Sequence, residues 1–220
     1  MKPQSTIWRN PSRRTTLKAL ALFASILPTS ALATLRTLLP AGKQQHDFIT
    51  HNPLPLALET SRDAFGQGPI TAIAQFFVRN NLPMPETEIV ADRDRWSIQI
   101  KGCETSGHIT LADLKTLETT TVASVLQCSG NGRAFFNHNP AGSPWGVGAA
   151  GCALWTGVKV SGVLSHFAGA KPQARFLTAT GAESLPAGID VASVGVERSV
   201  PLEKGVQDAL LVWEMNGEPL

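Results

Sequence analysis

The chain reads as an α+β protein built on a mixed sheet, and three observations carry that expectation. Short strand-like and helix-like segments follow one another without a strict β-α order. Hydrophobic residues make up 43% of the 220 positions and charged residues 16%, a balance that supports a buried core and argues against a mostly disordered chain. Neither a repeat nor an apolar run long enough for an internal membrane span interrupts the pattern. The chain divides into a leader over 1–33, an extended segment over 34–55, and a folded domain over 56–220.

The leader is recognised by its charge order. Lys2, Arg9, Arg13, Arg14 and Lys18 precede the apolar "ALALFASILPTSALA", which closes on Ala31-Leu32-Ala33, a small-residue cleavage signature. Within it "SRRTTLK" (12–18) resembles the twin-arginine signal that exports folded proteins to the bacterial periplasm, with Thr16 in place of the usual Phe. Removing these five basic residues leaves 14 Lys and Arg against 17 Asp and Glu, a formal charge of −3. The pI of 8.5 therefore belongs to the leader, and no basic face for nucleic acid is expected on the remainder. Cys103, Cys128 and Cys152 would travel to an oxidising compartment, where an odd count leaves at least one thiol unpaired or employed.

Residues 34–58 are Pro-rich around "HNPLPLALET" and are expected to lie extended across the surface. "ITAIAQFFVRN" (70–80) predicts a helix passing into an extended piece. "RWSIQIKG" puts Trp96, Ile98 and Ile100 on one face of a strand, and "TLADLKTLE" opens a helix on a Thr110 cap. "TVASVLQ" is β-branched and apolar, a strand. The Gly-, Asn- and Pro-rich run from Ser129 to Gly151 is too long for an ordinary connection, and Phe135, Phe136 and Trp145 argue that it packs. A helix at "VSGVLSHFAG", a strand at "ARFLTAT", a turn at "RSVPLEKG" and a strand at "ALLVWEMNG" complete the order. The Asn-Gly of "NGEPL" predicts a hairpin turn that ends without a second arm.

The chemistry concentrates in "LQCSGNGR" (126–133). A thiolate is both a soft metal ligand and a nucleophile, and a neighbouring arginine lowers its pKa. Gly130 and Gly132 remove side chains that would keep a ligand off the backbone, and a left-handed turn at Asn131 would let successive N–H groups face an anion. The residues alone leave alternatives open. Cys128 can be a buried free thiol before a tight turn. It can be the nucleophile of a Cys-His hydrolase with His138 or His166. A zinc site is disfavoured, because Cys103, His108, Cys128, His138 and Cys152 lack the close spacing such sites use.

Six blocks in order carry a resemblance that decides among these. "FFVRNNLP" (76–83), "LQCSGNGR" (126–133), "FF" (135–136), "PWGVGAAGCALWTGVKVSGVL" (144–164), "VPLEKG" (200–205) and "WEMNGEPL" (213–220) are similar to the molybdopterin-binding domain of the sulfite oxidase and sulfite dehydrogenase family. The likeness runs from about Leu56 to Leu220. It implies the sulfite-oxidase-type α+β fold and a molybdenum-molybdopterin cofactor, with the sulfur of Cys128 on the metal. It implies cofactor contacts from Phe77, Val78, Arg79, Asn80 and Asn81, and substrate binding by Arg79 and Arg133, whose forked donors suit sulfite and sulfate. The implied reaction is oxidation of sulfite to sulfate by oxo transfer. A separate c-type cytochrome would take the electrons, since the chain carries no haem-attachment motif.

The sequence departs from the family in several places. Asn81 stands where relatives usually have His, and no Asp lies near Thr180 or Gly181, where the family uses one to hold the cofactor, so no role is expected there. The block with His, Gly, Pro and Arg and the immunoglobulin-like dimerisation domain that follow "MNGEPL" in relatives are not in the sequence, nor is any tyrosine. The expectation is a C-terminally truncated relative that binds cofactor weakly and turns over slowly. A non-catalytic fragment, a molybdopterin methionine-sulfoxide reductase and a sulfane dehydrogenase subunit are the alternative readings.

Overall fold

The computed structural model describes residues 39–81, 91–181 and 197–220. The leader and the first residues of the 34–55 segment lie outside them. Contacts group residues 42–220 into one unit.

Within that unit the Pro-rich stretch is extended, as expected, but it is not laid across the surface. It forms a hairpin of β1 (Phe48–Pro53) and β2 (Leu56–Thr60), and β3 (Val78–Arg79) pairs with the other edge of β2. Ala57, Leu58, Glu59 and Thr60 are all buried. Glu and Thr in sequence look like surface residues, yet burial costs little when every polar atom is bonded. Thr60 Oγ1 donates to the Gln75 carbonyl at 2.7 Å, and Glu59 accepts from the backbone of a distant loop at Gly146 and Gly148.

Of the helix expected at the start of 70–80 one 3-10 turn is present, Ile73–Gln75, and the extended piece expected after it contains β3. Tertiary packing overrides propensity: Phe76 sits in a cluster with Ala153 and Met215, which draws the chain out of helical register. Lys43 Nζ fixes the result by donating to the Ile73 carbonyl at 2.8 Å and the Phe76 carbonyl at 2.6 Å.

The largest sheet runs β11–β10–β7–β6. β6 (Thr119–Gln127) pairs antiparallel with β7 (Ala150–Lys159) from Thr119↔Val158 to Gln127↔Ala150, and β7 pairs with β10 (Leu210–Met215). Asn216 and Gly217 both have positive φ, 55° and 82°, the combination a two-residue hairpin turn requires. The turn leads into β11 (Glu218–Pro219), with Met215↔Glu218 and Glu214↔Pro219. The second arm that the sequence reading lacks is therefore present, two residues long.

β4 (Ser97–Ile100) and β5 (Gly107–Thr110) form a separate ribbon, and Thr110 caps α1 (Leu111–Leu114) through a capping box with Asp113, as its position predicts. Ile98 and Ile100 pack on the main apolar cluster, in which Ile109, Leu114, Val158 and Trp213 are buried. Trp96, one residue before the strand, is 43% exposed and does not join them. α2 (Val160–His166) follows β7 directly.

β8 (Phe176–Thr180) and β9 (Glu197–Pro201) form a last hairpin, and β9 runs into α3 (Leu202–Asp208). Sequence reading expects a turn here because of Pro201 and Gly205. Proline instead precedes the first helical residue, where its fixed φ and missing N–H do no harm. Gly205 permits close approach, since a Cβ there would lie 2.7 Å from Leu177 Cδ2. The α+β class is thus realised as four small sheets with short helices, and every strand pairing among the described residues is antiparallel.

Two glycines separate packing from propensity. A Cβ on Gly157 would overlap the Leu211 carbonyl oxygen of the neighbouring strand, so Gly157→Ala should cost about 1–3 kcal/mol. A Cβ on Gly162, inside α2, would meet only Val158 Cγ2 at 3.5 Å, an ordinary contact. Gly162→Ala should therefore stabilise by about 0.5–1 kcal/mol. Thermal unfolding of the two variants checks the opposite signs.

Candidate cofactor and anion site

Cys128 follows the last residue of β6, and two turns of hydrogen bonds set its loop. Its N–H donates to the Ala149 carbonyl at 2.9 Å, and its own carbonyl accepts from Asn131 N–H at 2.9 Å. Gly132, with φ 85°, provides the left-handed step, which the sequence reading places at Asn131. A one-turn 3-10 helix, Arg133–Phe135, follows.

Three N–H groups of this loop are already bonded within the protein. Those of Asn131, Gly132 and Arg133 bond to the carbonyls of Cys128, Gly146 and Gly130 at 2.9, 2.6 and 3.0 Å. Short spacing between glycines suggested an anion nest, but the second loop, 142–149, takes part of that backbone capacity. Ala134 N–H donates to the Trp145 carbonyl, and Asn131 Oδ1 accepts from Ala149 N–H, each at 3.0 Å.

The second loop is in turn held from β2. Glu59, only 3% exposed, accepts from Gly146 N–H at 2.8 Å, from Gly148 N–H at 3.0 Å and from His51 Nε2 at 2.6 Å. Burial alone would raise the carboxyl's pKa, but these donors more than compensate and hold it below the ordinary carboxylate value. His51 meets the Trp145 ring edge-on, with centroids 4.9 Å apart. Trp145 is 1% exposed, so the run after Ser129 packs as expected around it, whereas Phe135 and Phe136 are 62% and 57% exposed and do not contribute to that packing.

The strands and loops enclose a cavity of about 510 Å³ between the β1–β2 hairpin, the end of β3 and the two loops. Arg79, Asn80, Asn81, Cys128 and Arg133, five of the residues singled out from sequence, line it together. Phe77 and Val78 do not. Val78 pairs with Leu58 in the sheet, and Phe77 packs on the Ala57–Trp145–Ala149 cluster and stacks on Phe76 at 5.3 Å. Sequence reasoning missed Asn52, Ser143, Trp145 and Arg198 in the lining. Trp145 had a signal, a lone large aromatic among glycines. Arg198 had none, because it arrives from a hairpin distant in sequence.

Arg133 is placed by glycine. A Cβ on Gly130 would stand 2.6 Å from one guanidinium nitrogen of Arg133, and one on Gly142 would collide with the other. The guanidinium lies across both bare backbones and donates to the Ser143 carbonyl at 3.0 Å. Among the described residues the charged lining is three arginines with no carboxylate, beside one half-buried thiol. Such a cavity can hold an anionic group and present a soft sulfur donor to it.

The other two thiols are elsewhere. Cys103 is buried in the main cluster, where burial pushes its pKa up, and Cys152 lies in β7 opposite Val125. All three cysteines are free. Neither His138 nor His166 lines the cavity with Cys128, and no three His, Cys, Asp or Glu side chains gather as a metal cage among the described residues. No helix among them is long and apolar enough to cross a membrane.

Residues 82–220 match the oxidoreductase molybdopterin binding domain family. The chain is 31% identical over 150 residues to mitochondrial sulfite oxidase of Drosophila melanogaster, covering 66% of this chain and 25% of that protein. It is 29% identical over 179 residues to sulfite oxidase of Arabidopsis thaliana, covering 76% and 44%. It is 32% identical over 181 residues to the NADPH nitrate reductase of Leptosphaeria maculans, covering 80% and 19%. Among solved structures it is similar to the sulfane dehydrogenase SoxCD of Paracoccus pantotrophus, with TM-score 0.62 and 25% identity over 88% of this chain and 45% of that one. The chain spans less than half the length of each of these proteins.

Proposed function

The chain belongs to the oxidoreductase molybdopterin-binding family, as a domain of sulfite oxidase type, and from that premise we propose that it is an exported oxidoreductase oxidising sulfite, or a related sulfur anion, at the Cys128 cavity. One observation carries the reading: a thiol and three arginines share a cavity whose lining, among the described residues, contains no carboxylate.

These residues suit the cofactor. Cys128 offers a soft sulfur donor for molybdenum. Asn80, Asn81 and Asn52 supply amide donors and acceptors for the pterin and its phosphate. The arginines balance the anionic charge that cofactor and substrate bring together. When bound, the molybdenum centre supplies two-electron oxygen-atom exchange.

The chain's own residues do the rest. Arg133, held against Gly130 and Gly142, and Arg79, at the end of β3, orient the sulfur oxyanion toward the Cys128 side of the cavity. Fixed guanidinium forks cost no reorganisation as charge develops, which is where such sites gain rate. Overall, sulfite and water give sulfate, two protons and two electrons. The electrons leave singly to an external c-type cytochrome in the periplasm.

The test is the purified full chain produced with a molybdenum cofactor supply. Substoichiometric but measurable molybdenum by elemental analysis and slow, sulfite-dependent reduction of cytochrome c are expected. A chain that takes up cofactor but oxidises no sulfur anion would overturn the substrate assignment. A sulfane-sulfur substrate is the second reading, favoured by the likeness to SoxCD, and reduction of cytochrome c by a sulfane donor but not by sulfite would select it. Arg133→Ala should lower kcat/KM for sulfite by about two orders of magnitude, as expected on losing a positioned, charge-assisted donor, with molybdenum content unchanged.

A further inference from the structure

The β8–β9 hairpin has no expected part in the site, because no Asp lies near Thr180 or Gly181. The structure brings a cation from it instead: Arg198 lines the same cavity as Arg79, Cys128 and Arg133. We propose that Arg198 is a third anion-binding side chain of this cavity and sets its preference for doubly charged oxyanions. The inference rests on the reading of the cavity as an anion site and adds a specificity determinant to it.

The hairpin is built to hold Arg198 in place. Side chains two apart on a strand share a face, so Arg198 points with Val200, and Glu197 points with Ser199 to the other side. On the Arg198 face, Val200 and its cross-strand partner Leu177 pack against Gly205 of α3, where an added Cβ would meet Val200 Cγ2 at 3.3 Å. On the opposite face Thr178 and Ser199 hydroxyls bond at 2.9 Å. One end of the hairpin is thus anchored on a helix, and Arg198 lies two residues from that contact on the same strand face. Among the described residues its guanidinium donates to the Glu197 carbonyl at 2.6 Å, which leaves donors of the fork for a ligand.

Charge decides the consequence. A singly charged, planar anion such as nitrate gains less from each fixed cation than a doubly charged one. A third guanidinium in the same lining adds attraction that grows with ligand charge. Arg198 is exposed, so its share is screened by salt more than that of half-buried Arg133.

Binding of sulfate and of nitrate to the full chain, without cofactor, tests this by calorimetry at low and moderate salt. Arg198→Ala should weaken sulfate about tenfold while nitrate changes less than threefold, and should flatten the salt dependence of sulfate binding. Arg198→Lys should recover most of the sulfate affinity. Arg175→Ala, an exposed arginine outside the cavity whose guanidinium donates to Pro172 and Ala174, should bind as the parent does. Arg198→Gln serves if the alanine variant melts early. Equal sulfate affinity in parent and Arg198 variants, or equal losses for sulfate and nitrate, overturns the proposal, as does a parent chain that binds neither ion. The measurement involves neither molybdenum nor turnover. Failure to oxidise sulfite therefore leaves it standing, and its own failure leaves the metal assignment to Cys128 untouched.

Discussion

Cys128→Ser is expected to remove molybdenum from the purified chain while leaving its fold in place. A serine hydroxyl nearly matches a thiol in shape, but it is a hard donor and stays protonated at neutral pH, so it replaces the sulfur in space and not in bonding. Retained molybdenum should fall by about tenfold or more, since loss of even an outer partner of a ligand lowers metal affinity by 10–100-fold. The melting temperature should move little, because Cys128 is half-buried and its backbone bonds to Ala149 and Asn131 persist. Cys152→Ser is the matched control, a free thiol outside the cavity. Equal molybdenum in parent and Cys128→Ser preparations would show that the sulfur does not bind the metal.

Glu59→Ala is expected to cost about 3–5 kcal/mol, the scale of breaking a buried, charge-assisted network by removing its acceptor. Three donors lose their partner at once: the N–H groups of Gly146 and Gly148 and the ring of His51. A typical domain is stable by only 5–15 kcal/mol, so the loop carrying Trp145 should loosen well before global melting. Glu59→Gln keeps the shape but turns an amide NH2 toward one of these donors, and it should lose nearly as much. The acid limb gives an independent readout. The folded carboxyl titrates below its ordinary 4.5, so the unfolded chain takes up the proton first as pH falls. Its stabilisation is complete above 4.5 and is lost as pH drops through the lower, folded value. Denaturant midpoints measured from pH 7 to 3 should therefore fall more steeply for the parent than for Glu59→Gln. Parallel curves would show that Glu59 does not carry this acid sensitivity.

How far the sequence could be read varies by element. β6, β10 and α2 are legible because apolar residues recur at the strand or helix period, whereas β7 and β11 of the same sheet go unassigned in the sequence reading. Thr110 announces α1 by a cap whose partner, Asp113, lies three residues on. What escapes depends on contacts between distant segments. β2 looks like surface because nothing near Glu59 in sequence reveals that its acceptors serve Gly146 and Gly148, nearly ninety positions later. The helix after Pro201 is missed because Gly205 is there to admit Leu177, a reason visible only once the hairpin is in place. In the site, Arg79, Asn80, Asn81, Cys128 and Arg133 are found because family blocks carry them, and they do share one cavity. Phe77 and Val78 belong to the same block, but they pack among core and sheet partners outside the lining. Arg198 is reached only through three-dimensional proximity.

The seating of Arg133 between two bare backbones ties the fates of separate positions. A side chain at position 130 must displace the arginine's guanidinium, whose atoms are the three nearest an added Cβ. Gly130→Ala should thus be harmful alone and nearly silent beside Arg133→Ala, a strongly non-additive pair. Substitution scans taken one position at a time would score Gly130 as indispensable in its own right, when its constraint is borrowed from a neighbour. A lineage that gave up the arginine would be free to lose the glycine afterwards, whereas the reverse order would first unseat the guanidinium.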